Sequence, residues 1–515
     1  MSSTIVFLLL YFSSMLMIGL WAMRRGAGSN LEEYMLGGRQ VGPLVTALTL
    51  QSTSMSGYMF LGAGSLSYTQ GYWSYWFAAG DIGGGVLNLS VIGRRMRKLS
   101  QLLGALTSIE YLEKRYPSRW VRMIGASLSV FLLFFYVLAQ FIAGGKGLEM
   151  VTGLPYAWSL LIAVAVIIMY TFMGGYAAVA YTDLVQALIM VVGVMWVLFA
   201  ALDHVGGPVA AHAALAELDP TLLSIWGRGL ENEGQWGIVV GAFFVFSIGY
   251  MGWPHVVTRH MAMSSPLTAR KAGVYSTIWN LMFVTAPYFI GLLAILIVPN
   301  IADPEMAIFA TAEALLPPAV VGIVMAAIMA AIMSTADSLL LQTGSIASRD
   351  IYQRFINPDM SERQMVWVSR LIVLVMGTCG YAIALLQPPG IFTIVIFTTT
   401  VLGSAFLPAY VAAVWWKKAN TPGAIASMLM GAGSSFLWEL LDMSASTGLH
   451  PMLVGVVCSC VSMVSVSLLT QQRYPVPDYI LEAMDESASL RALPAHLLNK
   501  QDFSLSGEAK QLRPA

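Results

Sequence analysis

Gln51-Ser52-Thr53-Ser54-Met55-Ser56-Gly57 interrupts an apolar segment that spans roughly residues 43 to 69. A second interruption, Ser334-Thr335-Ala336-Asp337-Ser338, lies inside the apolar segment 318–346. Hydroxyls, a carboxylate and a glycine therefore stand at depths where a bilayer offers no water, and each unsatisfied polar group there costs several kcal/mol. Groups of this kind line a cavity or hold an ion. The two stretches read as two halves of one cation site.

Composition sets the class. The chain has 515 residues, of which 57% are hydrophobic and 10% charged. Soluble domains carry about 25% charged residues. No soluble core hides this much apolar sequence, so the chain is expected to be an all-α polytopic membrane protein. Net charge is zero, which gives nucleic-acid binding no electrostatic support. The three cysteines, Cys379, Cys458 and Cys460, lack metal-ligand spacing and read as small buried side chains rather than disulfides. The 31 methionines read as adaptable packing. The first apolar segment, Thr4–Ala22, has no basic residue ahead of it and no convincing cleavage site, so it reads as a retained helix.

Thirteen candidate spans follow, near 4–22, 43–69, 72–93, 120–145, 156–174, 178–202, 236–256, 274–298, 318–346, 366–386, 391–415, 422–441 and 451–470. With the N-terminus outside, only Lys146 and Arg228 of the 27 Lys and Arg residues fall on the outer side. Arg259, Arg270 and Lys271 count among the inner charges. A wrong span count scrambles such a bias. The expected protein is therefore multi-pass in the inner (plasma) membrane, with its C-terminus cytoplasmic. The outer connection 204–235 is long and is expected to hold a short interfacial helix near Leu222–Trp226. The tail 471–515 reads as cytoplasmic, helical near Asp478–Met484 and otherwise poorly ordered.

Span two is broken by Ser52–Gly57. Span seven carries Ser247-Ile248-Gly249-Tyr250-Met251-Gly252-Trp253-Pro254. Each broken helix opens a run of five spans, which predicts a five-plus-five inverted repeat. The expected organisation is an extra first helix and loop (1–42), a first repeat (43–203), the outer loop (204–235), a second repeat (236–416), two further helices (417–470) and the tail (471–515).

A broken helix leaves main-chain carbonyls and N–H groups free inside the membrane. Sodium wants hard oxygens. The carbonyls of Ser52 and Met55 supply two, and the Ala331 carbonyl with the Ser334 and Thr335 hydroxyls supplies three more. Positions 331, 334, 335 and 338 share one helical face. The competing reading is that Ser334 and Thr335 simply bond back to their own helix.

At this point the chain resembles a known family. Ser54-Met-Ser-Gly57, Gly174-Gly-Tyr-Ala-Ala-Val-Ala-Tyr-Thr-Asp183-Leu-Val-Gln186, Gly249-Tyr-Met-Gly-Trp-Pro-His255 and Ala330-Ala-Ile-Met-Ser-Thr335 are similar, in order, to motifs of the sodium:solute symporter family, nearest its bacterial sodium/proline branch. The resemblance covers about residues 4 to 470 and implies the leucine-transporter type of fold. It places the common sodium at Ser52, Met55, Ala331, Ser334 and Thr335. It places Asp183 near a second cation site, for sodium or a proton, with Asp337 and Ser338; the competing reading is that one of the two carboxylates pairs with a cytoplasmic arginine or caps backbone. Asp337 stands where relatives carry serine, and Ser54 stands where proline transporters carry aspartate. Phe246 and Tyr250 match substrate-contacting aromatics.

The substrate cavity is expected beside the break, with Ser54, Ser56 and freed N–H groups at Gly57 receiving a carboxylate. Asp81, in Gly80-Asp81-Ile82-Gly83, is an intramembrane carboxylate that either pairs with a substrate amine or makes a structural hydrogen bond to the broken helix. His255 and His260 read as structural. The expectation is a sodium-coupled symporter, not an enzyme, that imports a small organic solute of amino-acid or zwitterionic character, with Na+ as coupling ion and no organic cofactor. The rivals are sodium- or proton-coupled uptake of a monocarboxylate such as pantothenate, and a membrane sensor, which the short tail disfavours.

Overall fold

Backbone surrounded by lipid has to satisfy its own hydrogen bonds, and the described residues do so as helix. A single isolated bridge, Val41 to Met263, is the only β-type pairing among them. The computed structural model describes residues 3–24, 30–387 and 390–488.

Helix α1 (Ser3–Arg24) precedes the short α2 (Leu31–Leu36). α3 (Pro43–Ser54) stops at the interruption, and the segment resumes as a wide turn, Met59–Ala63, and α4 (Gly64–Gln70). α5 (Tyr75–Asn88) passes through Leu89–Gly93 into α6 (Arg94–Leu102), followed by α7 (Ser108–Arg115), α8 (Arg119–Thr152) and α9 (Tyr156–His204). α10 (Pro208–Leu218) lies in the long connection. α11 (Trp236–Phe246) and α12 (Pro254–Ala262) flank a tight turn, Gly249–Gly252. Then come α13 (Thr268–Phe283), α14 (Thr285–Ile297), α15 (Ala307–Leu315), α16 (Pro318–Ile346) with its wider continuation to Ile356, α17 (Glu362–Ala384), α18 (Ile391–Trp415), α19 (Thr421–Leu440), α20 (Met443–Thr447), α21 (Pro451–Thr470) and α22 (Asp478–Ala488). Eight helical segments among the described residues are long and apolar enough to cross a membrane.

α9 holds 49 residues, too many for one crossing of about 20. Gly175 breaks it with φ 57° and ψ −160°, a conformation only glycine adopts readily. The chain reverses there. Tyr156, Ile168 and Met173 meet Ala384, Gly377 and Arg370 of α17 in turn. Beyond the reversal, Asp183 and Gly193 meet Ser338 and Ala327 of α16. A Cβ on Gly175 would stand 2.8 Å from the Tyr34 ring.

α16 is the axis. It packs against α1, α3, α8, α9 and α17 and is buried without interruption from Val324 to Ile346. Exposed apolar side chains such as Leu10, Trp158, Leu188, Phe199, Leu281, Trp367 and Val461 form the periphery, as a lipid-facing surface requires. Where α7, the start of α8 and the end of α16 meet, Arg122 bonds Asp350 and Glu113, both at 2.7 Å, and Arg349 bonds Glu110 at 3.0 Å. α22 packs on α6, with Lys417 to Asp485 at 2.5 Å.

Three expectations are corrected. The helix in the long connection lies at Pro208–Leu218, where Pro208 supplies a helix start, while Pro220–Leu223 forms only one tight turn. Helix α3 runs through Ser54 and helical backbone resumes at Gly57, so the break is confined to Met55–Ser56. The cysteines are free thiols, but Cys379 is exposed and Cys458 and Cys460 are half-buried, because α17 and α21 lie at the rim of the bundle. The tail beyond residue 488 lies outside the described residues.

Candidate functional site

Two rows of hydroxyls meet where α3 ends against the middle of α16. The Ser334 hydroxyl donates to the Ser52 carbonyl at 2.9 Å and stands 3.2 Å from the Ala331 carbonyl. The Thr335 hydroxyl reaches the Thr53 carbonyl at 2.9 Å and the Ser52 carbonyl at 3.4 Å. Met55 ends the helix with φ −90° and ψ 74°, so its carbonyl leaves the helical ladder at the same place. All these residues are fully buried. The bonds run between helices rather than only back along α16, which distinguishes this arrangement from ordinary self-bonding. Main-chain carbonyls and hydroxyls are hard oxygen donors, the set a small alkali ion takes. Thr53 was not singled out from sequence, although its spacing of four from Thr49 places both on one face.

One turn further along α16 sits a second polar group. Asp183 accepts from the hydroxyls of Thr49 at 2.5 Å, Thr53 at 3.2 Å and Ser338 at 3.4 Å. Arg259 of α12 lies 3.7 Å from the same carboxylate oxygen. Its guanidinium also donates to Thr53 at 2.6 Å, to Ser338, and to the His255 carbonyl at 2.6 Å. Sequence reasoning counted Arg259 as an inner-surface charge. It is instead fully enclosed, 2% exposed, because α12 turns inward after Pro254. Asp337 is also buried, yet neither carboxylate oxygen has a partner of hydrogen-bonding geometry among the described residues. Tyr170 faces it but donates to the Met333 carbonyl at 3.1 Å.

The third group lies across the break. Asp81 on α5 is fully buried. It accepts from Tyr250 at 2.5 Å and from Tyr58. Tyr58 stacks on Phe246 with centroids 4.8 Å apart and planes 5° from parallel. Tyr288 faces the same carboxylate. Asn280 joins the Asp81 carbonyl, at 3.0 Å, to Gln51 of the broken segment, at 2.5 Å. Phe246, Tyr250 and Asp81 thus come together, whereas Tyr58, Tyr288 and Asn280 carried no sequence signal of their own. Two of the expected carboxylate-receiving donors are otherwise engaged in this arrangement: the Ser54 hydroxyl donates to the Leu50 carbonyl at 2.7 Å and the Gly57 N–H donates to Gln140 at 3.0 Å. The Ser56 hydroxyl accepts from Tyr58 N–H at 3.3 Å, a bond that leaves its own hydrogen to donate.

The profile of the "Sodium:solute symporter family" matches residues 34–431. The osmoregulated proline transporter OpuE of Bacillus subtilis is 30% identical over 475 residues, covering 91% of this chain and 95% of the relative. Sodium/proline symporter 2 of Staphylococcus saprophyticus is 30% identical over 484 residues, covering 91% and 93%. Among solved structures, a substrate-bound, outward-open Na+-coupled sialic acid symporter superposes with a TM-score of 0.75 at 19% identity, over 92% of this chain and 98% of that one. Mhp1, a nucleobase-cation-symport-1 family transporter, in a closed conformation, gives 0.59 at 13% identity, over 88% and 98%.

Proposed function

The chain belongs to the sodium:solute symporter family, and from that premise we propose that its solute is a small zwitterion, an amino acid such as proline, received at Asp81. It is a multi-pass, sodium-coupled symporter of a small solute, with an all-α fold of the leucine-transporter type. It is a transporter rather than an enzyme.

The observation that carries the substrate reading is Asp81. It is a buried carboxylate beside the break, held by two tyrosine hydroxyls and paired with no basic side chain among the described residues. A buried negative charge calls for a compensating positive one, and a substrate ammonium supplies it. The aromatic faces of Phe246, Tyr58 and Tyr250 suit the attached carbon skeleton.

Sodium is taken by the carbonyls of Ser52, Met55 and Ala331 and the hydroxyls of Ser334 and Thr335. Its charge satisfies carbonyls on both sides of the break, fixes Met55–Gly57 and so shapes the neighbouring Asp81 pocket. Such coupling is reciprocal: substrate tightens sodium as sodium tightens substrate. Asp183, Asp337 and Ser338 form a second cation locus one turn away. The two repeats, 43–203 and 236–416, rock about this centre to alternate access. The protein lies in the plasma membrane, N-terminus outside and C-terminus inside, an orientation supported by the distribution of Lys and Arg.

A thermal-shift screen of the purified protein against proline, other amino acids and monocarboxylates, in sodium and in potassium, tests this. Stabilisation by an amino acid in sodium only, lost in Asp81→Asn, is the expected result. Stabilisation by an amine-free carboxylate instead, or equally in potassium, overturns it.

A further inference from the structure

The locus at Asp183 already contains a cation, and it belongs to the chain. The Nη2 atom of Arg259 lies among the Thr53 hydroxyl at 2.6 Å, the Ser338 hydroxyl, and Asp183 Oδ2 at 3.7 Å, while its Nε faces the Thr49 carbonyl at 3.4 Å. Thr53 and Ser338 each accept from the guanidinium and donate onward to Asp183. Hydroxyls, a carbonyl and a carboxylate from three helices, α3, α9 and α16, thus surround one guanidinium. Apart from the carboxylate, they are the same kinds of oxygen donor as those proposed for the free alkali ion one turn away at Ser52 and Thr335.

We propose that Arg259 is a tethered counter-ion that fills the second cation locus, so that one free sodium ion binds the chain, at the Ser334–Thr335 hydroxyls. The arrangement deepens the proposed coupling, because it rests on that reading of the first site and fixes the number of external ions. Steric room and charge both enter. A guanidinium hydrogen-bonded to Thr53 and Ser338 leaves no space for a second ion between them. It also neutralises Asp183, which removes the attraction an ion needs to give up its water.

Thr53 ties the two places together. Its carbonyl accepts from Thr335 at 2.9 Å on the sodium side, and its hydroxyl accepts from Arg259. Because Arg259 rides on α12, the inner half of the second broken helix, its guanidinium leaves the locus only if α12 moves away from α3, α9 and α16. The internal cation is thereby coupled to the relative motion of the two repeats, as a diffusing ion is not.

Equilibrium binding of radiolabelled sodium to the purified full-length protein, counted per chain and without solute, tests the proposal. Wild type is expected to bind one sodium ion. Asp183→Asn keeps it, and Thr335→Ala weakens it by tenfold or more. Arg259→Gln exposes Asp183 and raises the count to two, and Arg259→Lys, which restores a tethered charge, returns it to one. Two ions on wild type, loss of the single ion in Asp183→Asn, or a count of one in Arg259→Gln each overturns the proposal. Should Arg259→Gln not fold, the wild-type and Asp183→Asn counts decide it. A single ion indifferent to both Thr335→Ala and Asp183→Asn refutes the hydroxyl cluster as the sodium site and leaves Arg259 as the occupant of the second locus, so the two readings fail separately.

Discussion

The Ser334 hydroxyl of α16 donates to the Ser52 carbonyl at the end of α3, 2.9 Å away and 282 positions earlier in the chain. This contact joins the end of α3, where its helix breaks, to α16, the axis of the bundle. On the proposed function, an ion taken between hydroxyl and carbonyl would replace this neutral hydrogen bond with a charged contact.

Removing either hydroxyl should separate ion activation from folding. Ser334→Ala and Thr335→Ala are expected to shift the sodium concentration for half-maximal uptake upward by about tenfold each, roughly 1.4 kcal/mol. Protein abundance should stay within about twofold of wild type. Sodium titration of solute uptake in proteoliposomes checks this, and an unchanged half-saturation point in both variants refutes the site.

Asp81 and its two tyrosines form a test of the solute. Asp81→Asn should abolish uptake of a zwitterionic solute. Tyr250→Phe removes one donor from the buried carboxylate, a loss of about 1–3 kcal/mol, and is expected to weaken apparent solute affinity roughly tenfold or more while sodium binding persists. Uptake at wild-type affinity in Asp81→Asn would assign the carboxylate a structural role only.

Close approach of α5 to the second broken helix is required for that geometry. A Cβ at Gly84 would overlap the Phe246 carbonyl oxygen and the Tyr250 ring. Gly84→Ala should therefore displace Tyr250 from Asp81 and destabilise by about 1–3 kcal/mol. Gly433 in α19 has nothing within 4 Å of such a Cβ, so Gly433→Ala is expected to be neutral or stabilising by up to about 1 kcal/mol. Thermal midpoints of the two variants, measured side by side, should move in different directions.

Acid sensitivity has a local source outside the spans. Burial acts to raise the Glu110 carboxyl, but Lys114, Arg349 and Arg122 overcome it and hold the group well below the usual carboxylate range. A depressed folded value contributes stability above the unfolded value, about 4.3, and loses it as pH falls through the folded value. Glu110→Gln should therefore lower the thermal midpoint throughout pH 5 to 8, with the gap to wild type closing only in strong acid. A gap that widens as pH falls would contradict this sign.

Much of the fold is legible in the order of residues because lipid enforces it. An apolar run of about 20 residues has few alternatives to a helix, and Gly174-Gly175 between two such runs marks a reversal. The polar interruptions at Ser52–Gly57 and Ser334–Ser338 are legible for the same reason: hydroxyls are not left at that depth without a partner. The shared face of Ala331, Ser334 and Thr335 follows from helical spacing alone.

Sequence by itself thus determined the class, the broken helices and the polar stretches within the spans, since each depends on local polarity set against a uniform apolar solvent. Tertiary structure alone decided the partners. Arg259 reads as an inner-surface anchor until α12 turns it onto Asp183, Tyr58 reads as packing until its hydroxyl closes on Asp81, and Gly57 loses its free N–H to Gln140. Electrostatic pairing depends on distances across helices far apart in the chain, and those are fixed only when the bundle closes.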